Sequence, residues 1–260
     1  MTPEALEQTL DVLDVLATAG IVTASFFRFH RKQESLTVAF FCFAMVSLLL
    51  TNLYWLAHSL MRPDMRMPLS ANTIGECAAF LLLSAAMNAL FPDSRFGFTP
   101  QIICTVLFAA SSVALWLIWS GEWLQDLLGG IAFGYFLCVC VRNLCRTGLL
   151  TRKEWIALGI CCAGYMSAFL LFAEEDNHPI VTAGYIVMFA TMGWFVFRAA
   201  RGIWRGEDGK KQIVLSVSAY ACCMSGVYMS SGYWYIAAGL ICLLTLPMML
   251  HAFGKEAETA

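Results

Sequence analysis

The sequence predicts an all-α, polytopic transmembrane helix bundle that forms one domain over residues 1–260. Hydrophobic residues make up 60% of the chain and charged residues only 13%, whereas soluble domains carry about 25% charged residues. The apolar residues are gathered in runs long enough to cross a bilayer, which needs about 20 residues. Basic residues are concentrated in alternate connections between these runs, as in membrane proteins with a fixed orientation.

We identify nine apolar runs, and the connections between some of them are short. Little more than SGEW separates the fourth run from the fifth, and SSGYW separates the last two. The sequence therefore predicts about nine spans, with eight as the alternative, and leaves no room for a soluble domain. The runs cover residues 8–28, 36–61, 73–91, 100–120, 123–146, 154–173, 178–199, 211–230 and 233–253.

The distribution of basic residues predicts that the N-terminus lies outside and the C-terminus inside. In this orientation the inner segments carry 14 of the 16 Lys and Arg residues, and only Arg62 and Arg66 lie outside. Such a bias is typical of the positive-inside rule. The N-terminus is acidic and has no basic region, so we expect no cleaved signal peptide. We predict a multi-pass protein of a bacterial-type cytoplasmic (inner) membrane.

The sequence lacks the residues that several classes of protein function require. A net charge of −2 argues against a nucleic-acid partner, which requires a basic surface. No lysine lies in the interior of a predicted span, where a retinal Schiff base would need one, since Lys211 only begins the eighth run; no complete catalytic motif occurs either. The eleven cysteines lie almost entirely in apolar runs, where we interpret them as small packing residues. We therefore predict no catalytic residue, no metal site and no cofactor.

Small residues recur at four-residue spacing in three runs, a pattern that lets membrane helices approach closely. We interpret all three stripes as helix-packing surfaces. They are Gly130 and Gly134; Gly159, Ala163 and Ser167; and Ser218, Cys222 and Gly226.

The first run begins with four acidic residues that share one helical face: Glu4, Glu7, Asp11 and Asp14. Asp14 lies about one turn into the predicted membrane. It is either an acid favoured by the positive end of the helix dipole or a partner for His58 or Arg62 on the second run.

The second run ends in TNLYWLAHSLMR, in which polar and aromatic residues share a face. Trp55 and Arg62 would suit an interface, but the added Asn52 and His58 exceed what anchoring requires. We predict a polar, partly solvated pocket here.

The connection to the third run explains part of this polarity. Thr73 and Glu76 have the spacing of a capping box at a helix start. Capping does not explain Arg62 and Arg66, which either neutralise nearby acids or bind an anionic group.

The outer polar residues form our predicted ligand site. If the first three spans do not bring them together, the site hypothesis fails. They are Asp14, Asn52, Trp55, His58, Arg62 and Glu76.

We expect the protein to be a small-ligand binding or sensing module with an outward-facing polar pocket. Its expected partners are the lipid bilayer and a cytoplasmic or membrane protein that reads the bound state, and a homo-oligomer is compatible with the sequence. One alternative is a small-solute transporter, although no run carries a charge at its middle. A lipid hydrolase is a weaker alternative because the four histidines are scattered.

A further alternative is a membrane anchor subunit that takes electrons from quinol, with quinone as its cofactor. His58, Pro63 and Arg66 follow the second run. The arrangement is similar to that in the eight-helix, N-out anchor subunits of DMSO-reductase-type complexes, although the spacing and the number of spans differ. This resemblance implies a soluble redox partner and protonation chemistry at His58 with Asp14 or Glu76.

Overall fold

The computed structural model describes residues 3–29, 35–61, 71–92, 97, 99–120, 123–171 and 178–259. Over these residues the fold is all-helical, with no strand. The helices are α1 (Pro3–Phe29), α2 (Leu36–Met61), α3 (Ala71–Ala89), α4 (Pro100–Ser120), α5 (Trp123–Thr147), α6 (Arg152–Leu171), α7 (Pro179–Trp204), α8 (Gly209–Tyr228) and α9 (Gly232–Thr259).

Each predicted apolar run coincides with one helix, so the helical bundle is confirmed. Seven of the described helices are long and apolar enough to cross a membrane. The other two, α3 and α8, fall short of that composition. The prediction of nine spans therefore stays a prediction, while a multi-pass helical membrane protein follows from the seven apolar helices.

The helices alternate in direction, which gives the bundle two ends. We call the end at which α1, α3, α5, α7 and α9 begin the first end, and the opposite one the second end. Contacts between neighbours run from α1 through α2, α3, α5, α4, α6, α7 and α9 back to α1. The remaining helix, α8, contacts α3, α5, α7 and α9 and lies inside this circuit.

The central position of α8 explains its composition. Gln212, Ser216, Ser218 and Tyr220 are buried among its neighbours. Because these polar groups face protein and not lipid, α8 does not need the apolar surface that a lipid-facing helix requires.

Close helix approaches occur where a glycine faces a side chain of the next helix. A Cβ on Gly75 would collide with Thr51, one on Gly130 with Val113, and one on Gly226 with Met192. The packing interpretation is thus confirmed for Gly130 in α5 and Gly226 in α8.

The packing interpretation of the α6 stripe is wrong. A Cβ on Gly159 would meet no atom of the described residues within 4 Å, and Gly159, Ala163 and Ser167 are exposed. Only α4 and α7 contact α6, so its small residues border open space and not a neighbouring helix.

The second end carries every Lys and Arg that the structure describes, and several of them join helices. Arg28 of α1 pairs with Glu258 of α9 at 3.2 Å. Arg198 of α7 lies 3.7 Å from Glu154 of α6 and donates to the Leu149 carbonyl at 2.6 Å.

Candidate functional site

The first end joins α1 to α2 through the side chain of Asp11. Asp11 is 6% exposed and accepts a hydrogen bond from the Ser59 hydroxyl at 3.3 Å. Trp55 lies within hydrogen-bonding reach of the same carboxyl group. An acid one turn closer to the N-terminus than Asp14 therefore contacts α2, and its partners are Ser59 and Trp55, whereas the sequence suggested His58 or Arg62 as a partner for Asp14.

Asp14 lies deeper along α1, which packs against α9 as well as α2. It is partly buried and lies within electrostatic range of Tyr220 in α8 and Tyr235 in α9. Glu76 lies within range of the same two tyrosines. Both predicted acids thus lie near the α8–α9 pair.

Glu76 is held by α8. The Tyr228 hydroxyl donates to its Oε2 at 3.0 Å, and the Asn72 side chain provides a further hydrogen bond. The capping-box prediction is wrong, because α3 has already begun at Ala71 and Thr73 lies within its first turn. The Glu76 side chain therefore projects into the bundle and does not return to the helix start.

An aromatic cluster fixes the position of Tyr228. Its ring makes edge contacts with Trp116 and Phe133, each at 5.3 Å between centroids, and with Phe80 at 6.3 Å. These rings come from α4, α5 and α3, so Tyr228 joins four helices near the first end. Edge-to-face aromatic pairs of this kind add about 0.5–1.5 kcal/mol each beyond burial.

A cavity of about 330 Å³ lies beside this cluster. Two polar atoms in its wall, Trp116 Nε1 and Gln125 Oε1, are buried and have no hydrogen-bond partner among the described residues. Its volume is at the lower limit of ordinary small-molecule sites. The lining residues are Thr73, Glu76, Trp116, Gln125, Asp126, Gly129 and Tyr228; we call this cavity the polar pocket.

The predicted site residues are divided between two places. Glu76 lines the polar pocket, whereas Trp55 lies beside Asp11 and is 40% exposed. Asn52 and His58 are partly buried on α2, and neither lines the pocket. Arg62, like Pro63 and Arg66, lies outside the described residues.

Sequence reasoning missed most of the polar pocket. Trp116 and Tyr228 end apolar runs and resemble interfacial anchors, and Gln125 precedes an acid at a helix start. The four-residue spacing from Gln125 to Gly129, with Asp126 between them, places polar and small residues on one side of α5. No local pattern indicated that α3, α4 and α8 meet this side.

No group of three or more metal-ligating side chains occurs within the described ranges. The chain matches no family model, and it shows no significant similarity to a curated protein or to a solved structure.

Proposed function

We propose that the protein is a membrane-embedded binding module whose polar pocket takes a small organic cation. The observation that carries this proposal is the lining itself: among the described residues it contains two carboxyl side chains, Glu76 and Asp126, and no basic one. Acids within a membrane bundle are costly and mark functional positions. A cationic ligand would be attracted by their charge.

The aromatic residues support the same ligand class. Trp116 and Tyr228 both line the pocket, and aromatic rings attract ammonium groups by about 0.5–2 kcal/mol. The buried Gln125 Oε1 is an acceptor that an ammonium N–H or a ligand hydroxyl could satisfy. Trp116 Nε1 could donate to an oxygen of the same ligand.

The distribution of basic residues between the two ends of the bundle supports binding from the outer side of the membrane. The second end holds the described basic residues, and the positive-inside rule favours placing that end in the cytoplasm. The polar pocket then lies near the outer surface of an inner membrane. The quinol-anchor alternative shares Glu76 with this pocket, but His58 and Asp14, on which it also depends, do not line the pocket.

Choline and its uncharged carbon isostere, 3,3-dimethyl-1-butanol, provide a matched test. We expect choline to raise the melting temperature of the purified protein in nanodiscs saturably, and the isostere to have no effect. Glu76→Gln should weaken choline binding at least tenfold, because it removes the charge and keeps the shape. Glu258→Gln, an acid-to-amide change at the second end, serves as the control.

Binding of the neutral isostere with equal affinity would contradict a cation site. So would the absence of a thermal shift with choline and with butylamine in wild-type protein.

A further inference from the structure

A second and larger cavity lies on the other side of α8. Its volume is about 940 Å³, and α4, α5, α6, α7 and α8 all contribute to its wall. It exists because α6 contacts α4 and α7 but not α8. We call it the α6 cavity.

The α6 cavity opens sideways towards the lipid. Gly159, Ala163 and Ser167 of α6 and Cys104 of α4 line it and are exposed. Their small side chains leave a gap where a larger residue would close the wall. A ligand dissolved in the bilayer could therefore enter without passing through water.

Among the described residues that line the α6 cavity, Arg152, at the start of α6 on the second end, is the one that carries a charge. The deeper lining consists of apolar side chains, cysteines and hydroxyl-bearing residues. A charged group placed there would lose its hydration without gaining a counter-ion.

Two hydroxyl groups in the deep part of the wall lack a strong partner. Tyr165 is 5% exposed, and its hydroxyl has no hydrogen-bond partner among the described residues. Across the cavity, the buried Ser218 hydroxyl lies beside the Cys140 thiol, which is a weak hydrogen-bonding group. An unsatisfied buried hydroxyl costs about 1–3 kcal/mol, so a ligand oxygen between α6 and α8 would be stabilised.

The size and the opening of the cavity suit a lipid chain. With a volume of about 940 Å³, the cavity has room for a single hydrocarbon chain, and its lateral opening admits such a chain directly from the bilayer.

From these features we propose that the α6 cavity binds an uncharged, single-chain lipid whose carbonyl or hydroxyl oxygen lies between Tyr165 and Ser218. The apolar tail lies along the stripe of Gly159, Ala163 and Ser167 and leaves through the lateral opening. This site is independent of the polar pocket and of the ligand proposed for it.

Photolabelling in nanodiscs tests this proposal with the full chain. The probe is a diazirine-bearing hexadecanol in phosphatidylcholine, and labelled peptides are mapped by mass spectrometry. We expect labels on α6 and α8, reduced at least fivefold by excess unlabelled hexadecanol. Gly159→Leu should reduce labelling to a similar extent, whereas Gly193→Leu, which adds the same bulk at an open position of α7, should not.

The substitution Tyr165→Phe distinguishes the contribution of the Tyr165 hydroxyl to lipid binding from that of the shape of the cavity. It should lower labelling by the alcohol probe severalfold and leave labelling by a diazirine-bearing hexadecane unchanged. Tyr185→Phe, which alters a buried tyrosine outside the cavity wall, is the control.

Labelling spread evenly over the lipid-facing surface, or insensitive to the competitor in wild-type protein, would overturn the proposal. Crosslinks from α6 to a second copy of the chain, with no lipid label, would do the same. Competition by unlabelled hexadecanol is measured on wild-type protein. It therefore tests the lipid site even if a substituted variant does not fold.

Discussion

At the scale of single residues, Gly75 sets how closely α2 and α3 can approach. A Cβ at this position would collide with the Thr51 hydroxyl, and Thr51 also donates to the Asn72 carbonyl at 3.4 Å. Gly75 directly precedes Glu76 along α3, and Asn72 lies one turn before it. Separation of the two helices would therefore also displace an acid of the polar pocket.

We expect Gly75→Ala to lower the free energy of unfolding by about 1–3 kcal/mol, the usual cost of overpacking. Gly164→Ala, at a helical position where a Cβ meets nothing within 4 Å, should be neutral or slightly stabilising because alanine favours helix. Reversible unfolding in mixed micelles measures both values.

A double-mutant cycle identifies the cause of this loss. If the collision with Thr51 is responsible, Thr51→Ala should recover much of the stability of Gly75→Ala, because it removes the obstructing hydroxyl. Equal losses in the presence and absence of Thr51 would contradict the proposed contact.

The site residues show what the sequence could predict at this scale. Glu76 and the polar end of α2 were identifiable because charged and polar groups are rare among apolar ones. The Tyr228 partner of Glu76 is 152 positions away, and neither residue type nor spacing connects them. Asp11 and Asp14 share a helical face, so the sequence could not decide which of them meets α2.

At the scale of helices, α6 and α8 differ most in their surroundings. Four helices contact α8, and most of its residues are buried. By contrast, α6 contacts two helices and borders the α6 cavity. Local opening requires least free energy where tertiary contacts are fewest.

We expect the backbone amides of α6 to exchange with deuterium faster than those of α8 in the same nanodisc. Mass spectrometry of peptides from 156–168 and 213–225 makes the comparison, and α7, which contacts both helices, should be intermediate. Equal protection of the two segments would contradict a loosely held α6.

The apolar runs in the sequence predicted the positions of all nine described helices, because length and apolarity suffice to locate a helix in lipid. The runs did not predict which helices pack against each other. The stripes of α5 and α6 have the same four-residue spacing, yet Gly130 meets Val113 while Gly159 meets open space. Which stripe is covered depends on the path of the whole chain.

At the scale of the whole molecule, the two ends differ in charge. The described Lys and Arg residues all lie at the second end, whereas the described residues that line the polar pocket include two acids, Glu76 and Asp126, and no basic residue. This asymmetry concerns the complete bundle, because the basic residues come from α1, α5, α6, α7, α8 and α9.

We expect the second end to face the cytoplasm. A green fluorescent protein fused after Ala260 should fluoresce in a bacterial host, and alkaline phosphatase at the same position should be inactive. Alkaline phosphatase fused after Ser120, at the end of α4, provides the opposite control and should be active. An active phosphatase at Ala260 would reverse the predicted orientation.

The enclosure of α8 also bears on how the chain is assembled during synthesis. Its neighbours α3, α5 and α7 precede it, but α9 is synthesised after it. Until α9 arrives, one side of a helix rich in hydroxyl and amide groups has no cover, and lipid satisfies such groups poorly. A chain truncated before Gly232 would therefore expose the polar residues of α8 to lipid and to membrane proteases. We expect such a chain to be degraded, and the synthesis of α9 to protect the full-length protein.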